Sequence, residues 1–196
     1  MIQKQEFNTY KDELDLNFLR EYCTQHGEKR TMKRGETLEN AGEPAKYVAY
    51  IERGFFKYSV RNEENGEDYC GGYVFEGEFV ADFPACLDGD ISEVTIEAGI
   101  QCDVYVIRGS ELKFIFTSDR NMMELNYHLL SNIFKMIRRR YFDFFRYSPK
   151  ERYRRLIARS PQIVQQLPLK EIASFLNISP QMLSRIRSEI THEQTS

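Results

Sequence analysis

Apolar residues recur along this chain in three successive rhythms. Over residues 8–26, Leu14, Leu16, Phe18, Leu19 and Tyr22 give a partly amphipathic pattern that predicts a short helix, stopped by His26-Gly27. Over residues 31–107 the rhythm shortens to alternating or briefly apolar runs broken by turn residues: TLENAG, YVAYIERG, FFKYSV, YCGGYVFEGEFV, VTIEAG and CDVYVI, with NEENGE as a further turn. Short, regularly spaced runs of this kind predict a small antiparallel sandwich or barrel. Helical spacing then returns, briefly over residues 110–116 and without Pro or Gly for 27 positions over residues 121–147.

Within that long helix, Met122, Leu125, Leu129, Ile133, Met136 and Ile137 recur at three- and four-residue intervals and make an apolar seam. A protruding helix of this length is hard to bury inside one small domain, so the seam is expected to meet a second copy of the chain. Packing against the sandwich is the plainer alternative. Ser148-Pro149 ends the helix, because proline cannot continue a helix interior and pushes the preceding residue out of the α region. Shorter helices are predicted over residues 149–158 and 162–166, separated by Ser160-Pro161.

Residues 169–190 have the spacing of a helix-turn-helix. Ile172, Leu176, Ile178, Leu183 and Ile186 fall where two steeply crossing helices bury facing residues, with small Ala173 at their closest approach. Asn177 stands in the turn, and asparagine tolerates a positive φ. Ser179-Pro180 is a strong helix start, with Ser179 as N-cap and Pro180 at the first helical position, where its missing N–H costs nothing. With Leu183, Ile186 and Ile190 facing inward, Gln181, Ser184, Arg185 and Ser188 face outward. Gln181 suits a bidentate contact to adenine and Arg185 one to guanine. Lys170 and Ser179 suit phosphates, Ser184 a base or a phosphate, and Arg187 the DNA backbone. A helical hairpin with a solvated polar face is the alternative; spacing, cap and charge together favour DNA.

Composition fits this organisation. With 196 residues, 41% hydrophobic and 29% charged, the chain can bury one large core or two modest ones. The amino terminus has no apolar leader behind a basic segment, and no window approaches the roughly 18 apolar residues of a membrane span, so a cytoplasmic location and no membrane contact are the default expectations. Cys23, Cys70, Cys86 and Cys102 are scattered and read as reduced, mostly buried thiols; His26, His128 and His192 have no ligand neighbour at helical spacing. No metal or other cofactor is therefore expected. The net charge of −3 hides a polarity: residues 148–196 hold eight basic against four acidic residues and residues 138–147 four against one, which leaves −10 on residues 1–137. A basic end of this kind suits phosphate neutralisation. No HExxH, GxSxG, P-loop or Cys/His nucleophile pattern appears, so an enzyme is not expected.

The residues Arg34-Gly35-Glu36-Thr37-Leu38, Gly42, Tyr47-Val48-Ala49-Tyr50-Ile51, Gly54 and Gly77-Glu78-Phe79, together with the run PLKEIASFLNISPQMLSRIR, resemble the Crp/Fnr family of transcription regulators. The likeness covers nearly the whole chain. It implies an α+β fold: a cyclic-nucleotide-binding-like β-roll over residues 1–118, a dimerisation helix over 119–147 and a winged helix-turn-helix over 148–196. It further implies a homodimer on a pseudo-palindromic double-stranded DNA operator, with RNA polymerase as a protein contact. Pro180 takes a reading position where the best-known members carry arginine, and little sequence follows Ile190 for the β-wing. The family's cyclic-nucleotide binders use a Gly-Glu pair for the ribose and an Arg-Ser or Arg-Thr pair for the phosphate. Counting from Glu78 and from Cys102 aligns these with Ala81-Asp82 and Ser92-Glu93. Losing the arginine, with Glu93 placing a like charge there, should cost on the order of several kcal/mol, so cyclic AMP is not the expected effector. Iron-sulfur and haem sensing lack their ligand patterns, and the effector is left open. A small-ligand sensor module whose carboxyl-terminal helices serve a protein interface is the alternative to a DNA reader; steep loss of duplex affinity with salt would separate the two.

Overall fold

The computed structural model describes residues 7–161 and 163–195. They divide into two compact units, one of Lys11–Ser131 and one that joins residues 7–10 to the described residues from Asn132 onward.

In the first unit, helix α1 (Asn17–His26) leads into β1 (Glu28–Met32), β2 (Thr37–Glu39), β3 (Tyr47–Arg53), β4 (Phe55–Arg61), β5 (Asp68–Phe75) and β6 (Phe79–Val80). Helix α2 (Ala85–Asp88), β7 (Thr95–Ala98), β8 (Cys102–Arg108) and α3 (Gly109–Ser118) follow. The strands form two four-stranded antiparallel sheets, ordered β1-β8-β3-β6 and β2-β7-β4-β5. Alternation drives this, since β7 and β8 bury every second residue and Ile51, Phe56, Ile96, Val104 and Cys102 meet in one core. Gly54 makes the tight link from β3 to β4 at φ 101°; a Cβ there would come within 2.6 Å of the Cys102 sulfur.

Three expectations need correction. The first helix begins at Asn17 rather than near residue 8: Glu13 adopts φ 65°, and Asp15 Oδ1 accepts from the Asn17 N–H at 2.9 Å. Its inward face is Leu19 and Cys23, while Phe18 is exposed. The strand region opens at Glu28, because EKRTM buries only Met32 and is held by its register with β8 rather than by alternation. Short α2, burying Cys86 and Leu87, interrupts the region read as strands alone.

Helix α4 (Arg120–Arg146) runs uninterrupted, as its pattern predicts. In the second unit it is followed by α5 (Pro149–Arg159), α6 (Ile163–Gln166), α7 (Leu169–Phe175) and α8 (Pro180–Thr195). Ser148 caps α5, its Oγ accepting from the Glu151 N–H at 3.3 Å ahead of Pro149 in the first turn. Gln162, the expected first residue of α6, lies outside the described residues. Helix α8 continues to Thr195, and among the described residues no strand follows it.

Candidate functional site

Helices α7 and α8 close over Ile172, Ala173, Leu176, Leu183, Ile186 and Ile190, all buried. The turn is built by backbone: the Asn177 N–H donates to Ser174 O at 2.9 Å and the Ile178 N–H to Ala173 O at 3.0 Å, with Asn177 at φ 51°. Ser179 Oγ accepts from the Met182 N–H at 3.1 Å, fixing the first turn of α8 at Pro180. With one stripe of α8 buried, the helical period puts Gln181, Ser184, Arg185 and Ser188 on a common exposed face, and Arg187 and Lys170 are exposed as well. His192 continues the same face by spacing and was not foreseen.

Acids flank this face. Glu189 accepts from Arg185 Nε at 3.0 Å and from Lys150 Nζ at 3.0 Å, and Glu193 pairs with Lys150 at 2.7 Å and with Arg154. Hydrogen bonds from Lys150 hold both carboxyls below the ordinary range. Lys150, Met182, Arg185, Ile186 and Glu189 line a cleft of about 280 Å³ beside the capped start of α5. Arg152 is used internally: it donates to Tyr147 O at 3.0 Å and to Leu176 O at 3.1 Å and lies over the Phe144 ring. The formal charge of this end therefore overstates the cations presented at its surface.

In the β-unit, the aligned pocket positions meet each other. The Ser92 hydroxyl is 2.7 Å from Asp82 Oδ2 and 2.8 Å from Val94 O, while Tyr58 OH donates to Ala81 O at 2.9 Å. Glu78 is buried, accepting from the Phe75 N–H at 2.9 Å and pairing with Lys11 at 3.5 Å. Glu93 is exposed, and its backbone neighbour Ser92 supplies the inward group. Nearby, Glu39 accepts from the Lys46 and Tyr47 N–H groups; burial still pushes its carboxyl up, with Asp82 adding to the rise. Burial pushes the Tyr58 phenol up and the Cys86 thiol up to about 12.

Residues 29–119 match the cyclic nucleotide-binding domain family. Among solved structures, FixK2 from Bradyrhizobium japonicum superposes with a TM-score of 0.74 at 15% identity, covering 86% of each chain. The c-di-GMP responsive global regulator CLP of Xanthomonas campestris gives 0.66 at 18% identity, over 92% of this chain and 93% of that one. A protein of Eubacterium rectale described as a Crp/Fnr-family transcriptional regulator gives 0.67 at 15%, over 95% and 88%. The chain has the Crp/Fnr fold. No curated protein matches its sequence.

The long helix of this Crp/Fnr fold carries two apolar faces. Of the seam expected to meet a second copy, Leu129 and Met136 are buried within the chain, and Met122, Leu125 and Ile133 are half-buried beside them. Only Ile137 of that set is exposed. A different stripe, Met123, Tyr127, Leu130, Phe134, Ile137, Tyr141 and Phe144, keeps alternating four- and three-residue spacing and is exposed except at half-buried Leu130. The spacing was present in the sequence, but the sequence does not say which of two apolar faces the chain itself covers. Among the described residues no group of His, Cys, Asp and Glu is arranged to hold a metal, and no helix is long and apolar enough to cross a membrane.

Proposed function

We propose that this protein is a homodimeric, sequence-specific DNA-binding transcription regulator whose β-roll does not respond to cyclic AMP. The observation that carries the reading is the capped α8 with Gln181, Ser184, Arg185 and Ser188 on one exposed face. On this reading Gln181 and Arg185 read base edges and Ser184 a base or phosphate. Lys170, Ser179 and Arg187 hold the DNA backbone; Ser179 keeps its hydroxyl proton for a phosphate while its oxygen caps the helix. Residues 1–118 serve as the sensor part, 119–147 as the dimer helix and 148–196 as the DNA-binding part. The exposed stripe of α4 joins two copies, so that two reading helices enter successive major grooves about one helical turn apart. RNA polymerase is a protein partner of this arrangement.

The mutual bonds of Asp82 with Ser92 and of Tyr58 with Ala81 support a β-roll that does not bind cyclic AMP, because these groups are already satisfied and none supplies the positive charge a cyclic phosphate needs. Selection of bound sequences from a random duplex pool tests the reading. A pseudo-palindrome with half-sites about 10 base pairs apart is expected, and Arg185→Ala should weaken the selected site by about 1–3 kcal/mol while relaxing one base position. A pool that enriches nothing at low salt overturns it.

A further inference from the structure

The amino-terminal residues 7–10 lie in the same compact unit as the helix-turn-helix, although the β-sandwich separates them in sequence. Phe7, Asn8 and Tyr10 are only 4%, 2% and 7% exposed. One face of α4 holds them. Asn132 Nδ2 donates to Tyr10 O at 3.2 Å, and Arg140 Nη2 donates to Phe7 O and to Asn8 Oδ1, each at 2.9 Å. Asn132, buried Met136 and Arg140 are spaced four apart, so they share a face about 12 Å long. Three residues of extended chain span about 10 Å, which fits a strap running antiparallel to α4 from Tyr10 at Asn132 to Phe7 at Arg140.

The far end of the strap reaches the reading head. Phe7 packs on Phe175 with ring centroids 5.2 Å apart, and the Arg140 guanidinium lies 4.6 Å from the Phe7 ring and 5.7 Å from that of Phe175. Phe175 ends α7, two residues before the Asn177 turn. From another direction Arg152 binds Leu176 O. The turn that sets the angle of α8 is thus fixed to α4 through a three-way cluster of the Phe7 ring, the Phe175 ring and the Arg140 guanidinium, one ring of which comes from a segment distant in sequence.

We propose that Phe7, Asn8 and Arg140 are positioning residues for DNA reading: they lock α7 onto α4 and so set the orientation of the reading helices without a ligand. The proposal rests on the DNA-regulator reading. It accounts for an arginine of the 138–140 run being turned inward, and it gives a chain whose pocket residues satisfy one another a ligand-independent means of holding its reading head. Because phosphate contacts need little more than nearby cations whereas base contacts need fixed geometry, loss of the strap should damage specificity more than general affinity.

The test uses the full chain with Phe7→Ala, and with Arg140→Lys, which keeps the charge but loses the planar fork and leaves the apolar packing in place. Hydrogen exchange of the α7 amides should rise in both, and affinity for the pool-selected duplex should fall about tenfold or more while affinity for a scrambled duplex changes about twofold or less. The lysine variant should lie between wild type and Phe7→Ala, and it decides the matter if the alanine variant does not fold. Equal losses on both duplexes, or unchanged exchange and unchanged selectivity, overturn the proposal. If the wild type enriches no sequence, the regulator reading fails, and the exchange arm alone judges the strap: faster exchange confined to α7 supports it and unchanged exchange overturns it.

Discussion

Arg185 donates from Nε to Oε1 of Glu189, 3.0 Å away and one turn further along an exposed face of α8. The cation proposed to read a base is therefore held by an acid that also holds Lys150 at 3.0 Å. On the proposed DNA-binding reading, a duplex must draw both cations away. A bare phosphate replaces one acidic partner with another, whereas guanine offers Arg185 two acceptors in a geometry that Glu189 does not reproduce.

This relationship gives the first prediction. Glu189→Gln should raise affinity for scrambled duplex several-fold at low salt and steepen the slope of log affinity against log salt by about one, as roughly one more phosphate contact becomes available. The ratio of specific to scrambled binding should fall. Fluorescence anisotropy titrations across a salt series measure both, and an unchanged slope would show that the pair does not restrain Arg185.

The exposed stripe of α4 gives the second. Phe134→Asp or Ile137→Asp should weaken self-association about 100-fold or more by placing a charge in an apolar seam, as read by sedimentation equilibrium. Leu125→Ser, on the half-buried face, should lower the melting temperature and leave the association constant nearly unchanged. The reverse outcome would return the dimer seam to the face first suggested by the spacing.

The sequence's local signals were legible where one feature decides the local structure. Ser179-Pro180, Asn177 and the Ile172–Leu183–Ile186 spacing each act within a turn or two, and the observed cap, positive φ and buried contacts follow them. What was not legible depends on distant partners. Strand β1 has no alternation and exists through pairing with β8, some 75 residues away. The packing of Phe7 against Phe175 has no local pattern, and Arg140 reads as one more surface cation until the strap is placed. The pocket lay between these extremes: counting brought Asp82 and Ser92 together, but it also gave weight to Glu93, which is exposed.

A third prediction concerns the turn. Ser179→Ala removes the oxygen that accepts from the Met182 N–H and should cost about 1 kcal/mol in urea unfolding of the carboxyl-terminal unit. Asn177→Gly should be nearly neutral, since glycine accepts φ 51° without strain, whereas Asn177→Val should cost about 1–2 kcal/mol. A valine variant as stable as wild type would mean that the turn relaxes to another conformation.

The fourth concerns the thiols. Burial, reinforced by the charge of Glu111 at Cys23 and of Asp82 and Glu39 at Cys86, pushes both thiols up to about 12. The folded chain therefore keeps these protons over a range in which the unfolded chain, with thiols near an ordinary 9.0, gives them up. Below pH 9 the two states bind the same number, and neither thiol makes stability depend on pH. Between pH 9 and about 12, unfolding releases a proton from each, and stability should fall by about 1.4 kcal/mol per pH unit per thiol. Denaturant unfolding at pH 8, 9 and 10 should show that loss, and Cys23→Ala should make its slope shallower, with Cys86 and buried Cys102, whose thiol burial also pushes up, carrying what remains. In the same range half-buried Cys70 should be alkylated well before Cys23, Cys86 and Cys102, which are buried; equal labelling of all four in the folded chain would contradict the burial on which the pH dependence rests.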